Sequence, residues 1–173
     1  MKRLFEIDLQ DYEPGDSVFS RPSARGIIFD DFGRIALVYS QKEKYFKFPG
    51  GGIRKDEDKK EALIREVREE TGLIVIPELI KEFGSVLRRQ KSNIEPHTIF
   101  EQENFYYSCK VKKQTVEQNL DDYEEDAGFI LKFVEIEEAI SVNSSYRTDD
   151  YFNEIMIKRD TKLLKLIKLK LEQ

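Results

Sequence analysis

"FPGGGIRKDEDKKEALIREVREETGL", Phe48 to Leu73, sets three bare glycines ahead of a segment that ends in a crowd of acids. Asp58 stands where a helix start is capped, Glu61 follows three residues later as the other half of a capping box, and Gly72 sits where helices stop. Leu63 and Val67 recur at helical spacing, which predicts a helix over 58–71 with one buried side. On such a helix Glu66, Glu69 and Glu70 fall within an arc of about 100° and point the same way. Like charges that close destabilise a helix. A solvated face, the plainer reading, would alternate its signs; Arg65 offsets part of the charge through i,i+4 pairs with Glu61 and Glu69. Glycine lets a ligand approach the backbone closely, so three carboxylates beside a free carbonyl make a plausible oxygen cage for a divalent cation. Magnesium held this way keeps waters and bridges to substrate phosphates.

Composition narrows the metal. One cysteine, Cys109, and one histidine, His97, exclude a disulfide framework, a thiolate site and a multi-histidine zinc cluster. Oxygen ligands remain, which favour magnesium, manganese or calcium. A chain of 173 residues with 39% hydrophobic content suits a single domain over 1–173. The net charge of -5 gives no general attraction for nucleic acid or an anionic membrane, so neither is an expected partner. The N-terminal "MKRLFEIDLQDYEPGD" carries acids where a secretory signal is apolar, and no run of about 18 apolar residues occurs, so a cytoplasmic protein is expected.

Along the chain, "RLFEIDL" alternates as a strand and "DYEPGDS" breaks it. Residues 24–40 look like a hairpin turning at "DFG", and "YFKFPGGG" like a short strand entering a loop. "LIVIPELI" is a strand interrupted by Pro77. "EFGSVLRR" and "NFYYSCKV" look like strands joined by "QKSNIEPHTIFEQE", a connection long enough to be a substrate loop. "TVEQNLDDYEEDAG" is expected as an acidic loop, "FILKFVEI" as a strand, "EIEEAIS" as a short helix, and the tail from about Asp149 to 171 as a helix. Mixed strands and helices place the chain in the α/β or α+β class.

Gly51 to Leu73 resembles the Nudix box, G-x5-E-x7-R-E-U-x-E-E-x-G-U with U apolar. Gly51, Glu57, Arg65, Glu66, Val67, Glu69, Glu70, Gly72 and Leu73 fill every fixed position. A weaker likeness runs over about residues 21 to 140. The resemblance implies an α/β/α sandwich with a mixed sheet, and hydrolysis of a diphosphate linkage in a nucleoside diphosphate-X compound with Mg2+ or Mn2+. It implies metal ligation by Glu66, Glu69, Glu70 and the Gly50 carbonyl, with Arg65 orienting Glu66 and Glu57 pairing with Arg65. The general base is Glu66 or an acid of the later "LDDYEEDAGF", Glu124 ahead of Glu125. The marks that separate subfamilies outside the box are missing: "SVLRRQKSN" lacks the proline of the ADP-ribose group. A nucleoside triphosphate or modified nucleotide is then the default substrate, handled by a monomer or homodimer. A Nudix-fold module that binds a nucleotide without cleaving it is the alternative, although such modules typically erode the acids kept here.

Other residues divide by chemistry. Arg88, Arg89 and Lys91 cluster after a strand and are candidates for substrate phosphates. Phe105, Tyr106 and Tyr107 could stack a base, but aromatics in a strand are more often core. His97 suits a loop, Cys109 a buried small hydrophobe, and "KLLKLIKLKL" an amphipathic helix packed on its own sheet or on a second subunit rather than on a membrane.

Overall fold

The computed structural model describes residues 1–172. The expected mixed sheet and sandwich form. β1 (Arg3–Asp8), β8 (Lys81–Lys91), β9 (Thr98–Ser108), β3 (Ser23–Ile27) and β6 (Gly50–Gly52) lie side by side in that order. β8 with β9 and β3 with β6 are antiparallel, whereas β1 on β8 and β3 on β9 are parallel. A further strand, β2 (Ser17–Ser20), had no signal in the sequence pattern. It pairs in parallel with the first part of β9 in the same register that β3 continues, Ser17 opposite Thr98 and Ser23 opposite Asn104. Pro22, which has no N–H to give the ladder, marks the break between them.

The hairpin expected over 24–40 is only half formed. A bridge joins Phe29 to Ile35, and the two arms then part. β3 stays in the large sheet, while β4 (Ile35–Ser40) pairs with β11 (Phe129–Val134) and β5 (Phe46–Lys47) in a second sheet. The long connection expected over 90–103 also shrinks, because β8 and β9 extend their pairing to Lys91 and Ile99. Only residues 92–97 remain as a turn. The acidic loop contains a short helix, α2 (Asp122–Asp126), which Asp121 closes with a true capping box. β7 (Leu73–Val75) ends in a single 3-10 turn at Pro77–Leu79 and pairs with β10 (Val111–Thr115).

Strand alternation sends side chains into two cores. Ile27, Ile35, Leu37 and Tyr106 face one, and Ala24, Ile28, Ala36 and Tyr107 the other. The helix α1 (Lys59–Thr71) closes the second with Ala62, Leu63 and Val67. Asp58 caps it by accepting from the Lys60 N–H, without the reciprocal bond expected of Glu61, and Gly72 ends it at a φ of 74°. α3 (Ile136–Ser145) and α4 (Tyr151–Leu171) close the first core with Ile136, Ala139, Leu163, Leu164 and Ile167. The amphipathic tail therefore packs on its own sheet, each buried leucine or isoleucine contributing about 1.5–3 kcal/mol. Among the described residues no helix is long and apolar enough to cross a membrane.

Candidate active site

Arg65 is the hub of the acidic helix. Its Nε and one terminal nitrogen grip both oxygens of Glu57 at 2.7 and 2.8 Å. The same nitrogen donates to the Gly52 carbonyl at 3.0 Å, and the other donates to Glu66 at 2.5 Å and Glu69 at 3.2 Å. These contacts match the full set of guanidinium donors, so Arg65 ties the glycine loop to the helix with nothing left over. The fork holds the Glu57 carboxyl down to about 2, through the Arg65 hydrogen bonds first. Glu66 moves the other way. Burial raises its pKa, the charges of Glu70 and Glu69 add to the rise, and Arg65 opposes it. A side chain at Gly51 would collide with the Glu66 carboxylate, so glycine there is what lets the loop close over the helix.

Glu70 is 2% exposed and doubly held. Lys47, from β5, reaches it at 2.7 Å, and the Gly50 N–H donates to its other oxygen at 2.7 Å. The three glutamates therefore do not repel one another unopposed, as the sequence suggested. Arg65 serves two of them and Lys47 the third, and among the described residues no three acidic side chains close on one point. The Gly50 carbonyl, expected beside a metal, accepts from Arg25 at 2.9 Å and has its second lone pair free for another partner.

Glu124 arrives from α2. Its backbone and side chain complete the cap with Asp121, and its carboxyl stands near enough to Glu70 to feel that charge. Burial pushes its pKa up to about 7; the Asp121 N–H lowers it, and the charge of Glu70 raises it. Glu124 and Glu66 line the same cleft of about 530 Å³, along with Glu70, Lys47 and the three glycines. Glu69 lines a smaller adjoining hollow that also reaches Glu66 and Glu124. Glu125, one residue on, is exposed and outside both.

The two arginines expected to meet phosphates separate, because neighbours on a strand face opposite ways. Arg88 is buried and lines the cleft. Arg89 lies on the other face, paired with Glu101 at 2.5 Å, which corrects its expected place at the substrate. Lys91 is exposed at the end of β8. Tyr106 and Tyr107 are core residues, Tyr106 packing edge-on to Phe48 at 5.5 Å, and Lys59 caps the Phe105 ring at 3.8 Å. His97 is a turn residue at a φ of 52°, beside Asp16 at 3.5 Å. Cys109 is buried, and burial pushes its thiol up to about 12. Residues 92–95 line the cleft from the shortened turn.

Sequence reasoning passed over Lys47, Arg25, Arg159 and Phe152, all of which line the cleft. Lys47 had a faint signal as the charge between two buried aromatics in "FKF". Arg159 had none, since a basic residue in a lysine-rich helix is indistinguishable from a solvated one.

A mixed-sheet sandwich carries three glutamates of one helix, two braced by Arg65 and one by Lys47, under a glycine loop at the edge of a cleft. The Nudix domain family matches residues 19–153, more than half the chain, and the chain belongs to that family. It is 34% identical over 90 residues to human nucleoside diphosphate-linked moiety X motif 6, covering 50% of this chain and 26% of that protein. It is 41% identical over 58 residues to the RNA pyrophosphohydrolase of Halorhodospira halophila, covering 34% of this chain and 32% of that one. The chain thus spans between a quarter and a third of the length of these relatives. A NUDIX hydrolase structure from Nitrosomonas europaea aligns with a TM-score of 0.51 at 20% identity, over 82% of this chain and 89% of that one. A MutT structure, from Aliivibrio salmonicida and Vibrio cholerae, aligns at 0.50 and 18%, over 84% and 99%. At such identities the structural likeness concerns the fold.

Proposed function

We propose that the protein hydrolyses a diphosphate linkage in a nucleoside diphosphate-X compound with a divalent cation, Mg2+ or Mn2+. The observation that carries this reading is Glu124, a half-buried carboxyl that lines one cleft with Glu66, Glu70 and the glycine loop and that burial holds up to about 7. A carboxylate with a pKa near neutrality suits proton abstraction from water at physiological pH. Glu124 lies in the cleft with Glu66 and Glu70, whereas Glu125 does not, so Glu124 is the base in this reading.

The donor set fits a hard cation. It consists of oxygens only, and Glu66 carries a raised pKa that a positive charge would relieve. Glu66, Glu69, Glu70 and the Gly50 carbonyl would hold the metal, with Glu70 turning partly from Lys47. When bound, the metal supplies charge neutralisation at the diphosphate and activation of water. The protein's own groups do the rest. Arg65 and Glu57 fix the spacing of Glu66 and Glu69, the glycine loop admits the diphosphate close to backbone, and Glu124 accepts the water's proton. Lys47 faces the cleft with charge complementary to the departing phosphate. A nucleoside triphosphate or modified nucleotide remains the default substrate, and the names of the relatives, nucleoside diphosphate-linked and pyrophosphohydrolase, support the same chemistry.

The test is a panel of nucleoside di- and triphosphates and nucleotide sugars with Mg2+ or Mn2+, products resolved by chromatography. A nucleoside monophosphate product is expected from at least one of them. A folded protein that binds these nucleotides but cleaves none would mark it instead as a binding module.

A further inference from the structure

Three arginines that line the cleft have no use in the hydrolysis above. Arg25 of β3, Arg88 of β8 and Arg159 of α4 are 7%, 2% and 0% exposed, and all line the cleft that holds Glu66 and Glu124. Buried charges are costly unless paired with opposite charge. Here the pairing is short. Asp160 takes the Arg159 Nε at 2.8 Å, while Lys47 and Glu70 already neutralise each other. Arg25 and Arg88 have no carboxylate within ion-pair distance among the described residues, so two positive charges lack a direct partner.

The remaining contacts of the trio are to neutral acceptors. Arg25 donates to the carbonyls of Phe48 at 3.2 Å and Gly50 at 2.9 Å. Arg88 donates to the Phe152 carbonyl at 2.9 Å and lies over the Phe152 ring at 4.2 Å, with Phe100 at 5.5 Å. Arg159 donates to Asn104 at 2.6 Å. These bonds satisfy donors without cancelling charge. Burial brings Arg88 down to about 9, and the charges of Arg159 and Arg25 push it the same way. One group has no partner among the described residues: a terminal nitrogen of Arg159, in a side chain 0% exposed. The amide nitrogen of Gln90, whose oxygen accepts from Arg88, is also unpartnered.

We propose that this pocket binds a dianionic phosphate monoester of the substrate, additional to the diphosphate that is cleaved, and so selects phosphorylated over unphosphorylated nucleotides. A dianion matches the two unmatched charges, and guanidinium forks match phosphate oxygens in shape. Phe100 and Phe152 keep water from Arg88, which strengthens the attraction. Arg159 lies beyond residue 153, where the family match ends. The proposal rests on the diphosphate-hydrolase reading.

Two matched pairs test it, NAD with NADP and dephospho-coenzyme A with coenzyme A, each differing by one ribose-borne phosphate monoester. In at least one pair, kcat/KM of the phosphorylated member should exceed its partner's by about tenfold, near 1.4 kcal/mol, chiefly through KM. Arg88→Met, which keeps an apolar stem between the two rings, should bring that ratio close to one. Arg159→Met combined with Asp160→Asn, which avoids stranding the aspartate, should do the same. Ratios near one throughout for the wild type, or a preference that survives both variants, would overturn the pocket. Inorganic phosphate in chelator gives a readout independent of turnover. It should raise the wild-type melting temperature and leave both variants unmoved; no rise in the wild type would equally overturn the pocket. Cleavage of no pair with phosphate stabilisation intact would instead remove the hydrolase reading and keep the pocket.

Discussion

Along the cleft, Glu66, Glu69 and Glu70 come from two turns of one helix and are met by Arg65, Lys47 and a backbone N–H; Arg25, Arg88 and Arg159 come from three separate elements, and of them only Arg159 meets a carboxylate, that of Asp160. The acidic end is thus braced in advance, so a cation need only displace contacts the protein already makes. The basic end carries surplus charge that a bound anion would neutralise. One end fits the chemistry and the other the choice of substrate.

The largest effects should come from unbalancing the acidic end. Removing divalent metal with chelator should abolish hydrolysis, and Mg2+ or Mn2+ should restore it. Glu70→Gln should remove most activity while circular dichroism stays native, since glutamine still accepts from the Gly50 N–H. Glu124→Gln should lower kcat by about a hundredfold or more, against little change for Glu125→Gln on the solvent side of the same turn. Equal losses for the two would dissolve the assignment of the base. Arg65→Lys should cost about tenfold in kcat, because an ammonium cannot reproduce the fork on Glu57. Steady-state kinetics over a range of metal concentrations should show that loss together with weaker metal dependence.

A smaller effect is on stability. The Glu124 carboxyl stands near 7 when folded, above its ordinary value of 4.5. Its contribution is therefore fully present below about 4.5 and lost as pH rises through 7, by at most about 3 kcal/mol and less after solvent screening at a half-exposed site. Glu57, held near 2, acts with the opposite sign and only in acid, its contribution being lost as pH falls from 4.5 through 2. In chelator the melting temperature should therefore fall between pH 5 and 7.5, with Glu66 adding to the fall. Glu124→Gln should flatten this slope. Smallest of all, Arg89→Ala should leave kinetics unchanged, in contrast to Arg88→Met beside it.

That contrast marks what could be read from the chain alone. The acidic end lies within Phe48–Leu73, where local spacing on a helix fixes which side chains share a face, so Glu57, Arg65 and the three glutamates were legible as neighbours. Lys47 escaped because its pairing with Glu70 depends on how β5 meets α1. The hairpin that opens into two sheets and the parallel register of β2 depend on β9 and β11, which lie far along the chain. Arg25 and Arg159 depend on tertiary structure entirely. Their types are those of a solvated surface, and only the crossing of β3, β8 and α4 buries them.

The central claim is tested most directly by titrating Mg2+ into the wild type and Glu69→Gln while following melting temperature and release of nucleoside monophosphate together. In the wild type both should rise with one half-saturation, because metal that binds the folded state stabilises it, and in Glu69→Gln neither should rise over the same range. Wild-type turnover that is indifferent to Mg2+, or Glu69→Gln turnover equal to the wild type, would contradict it.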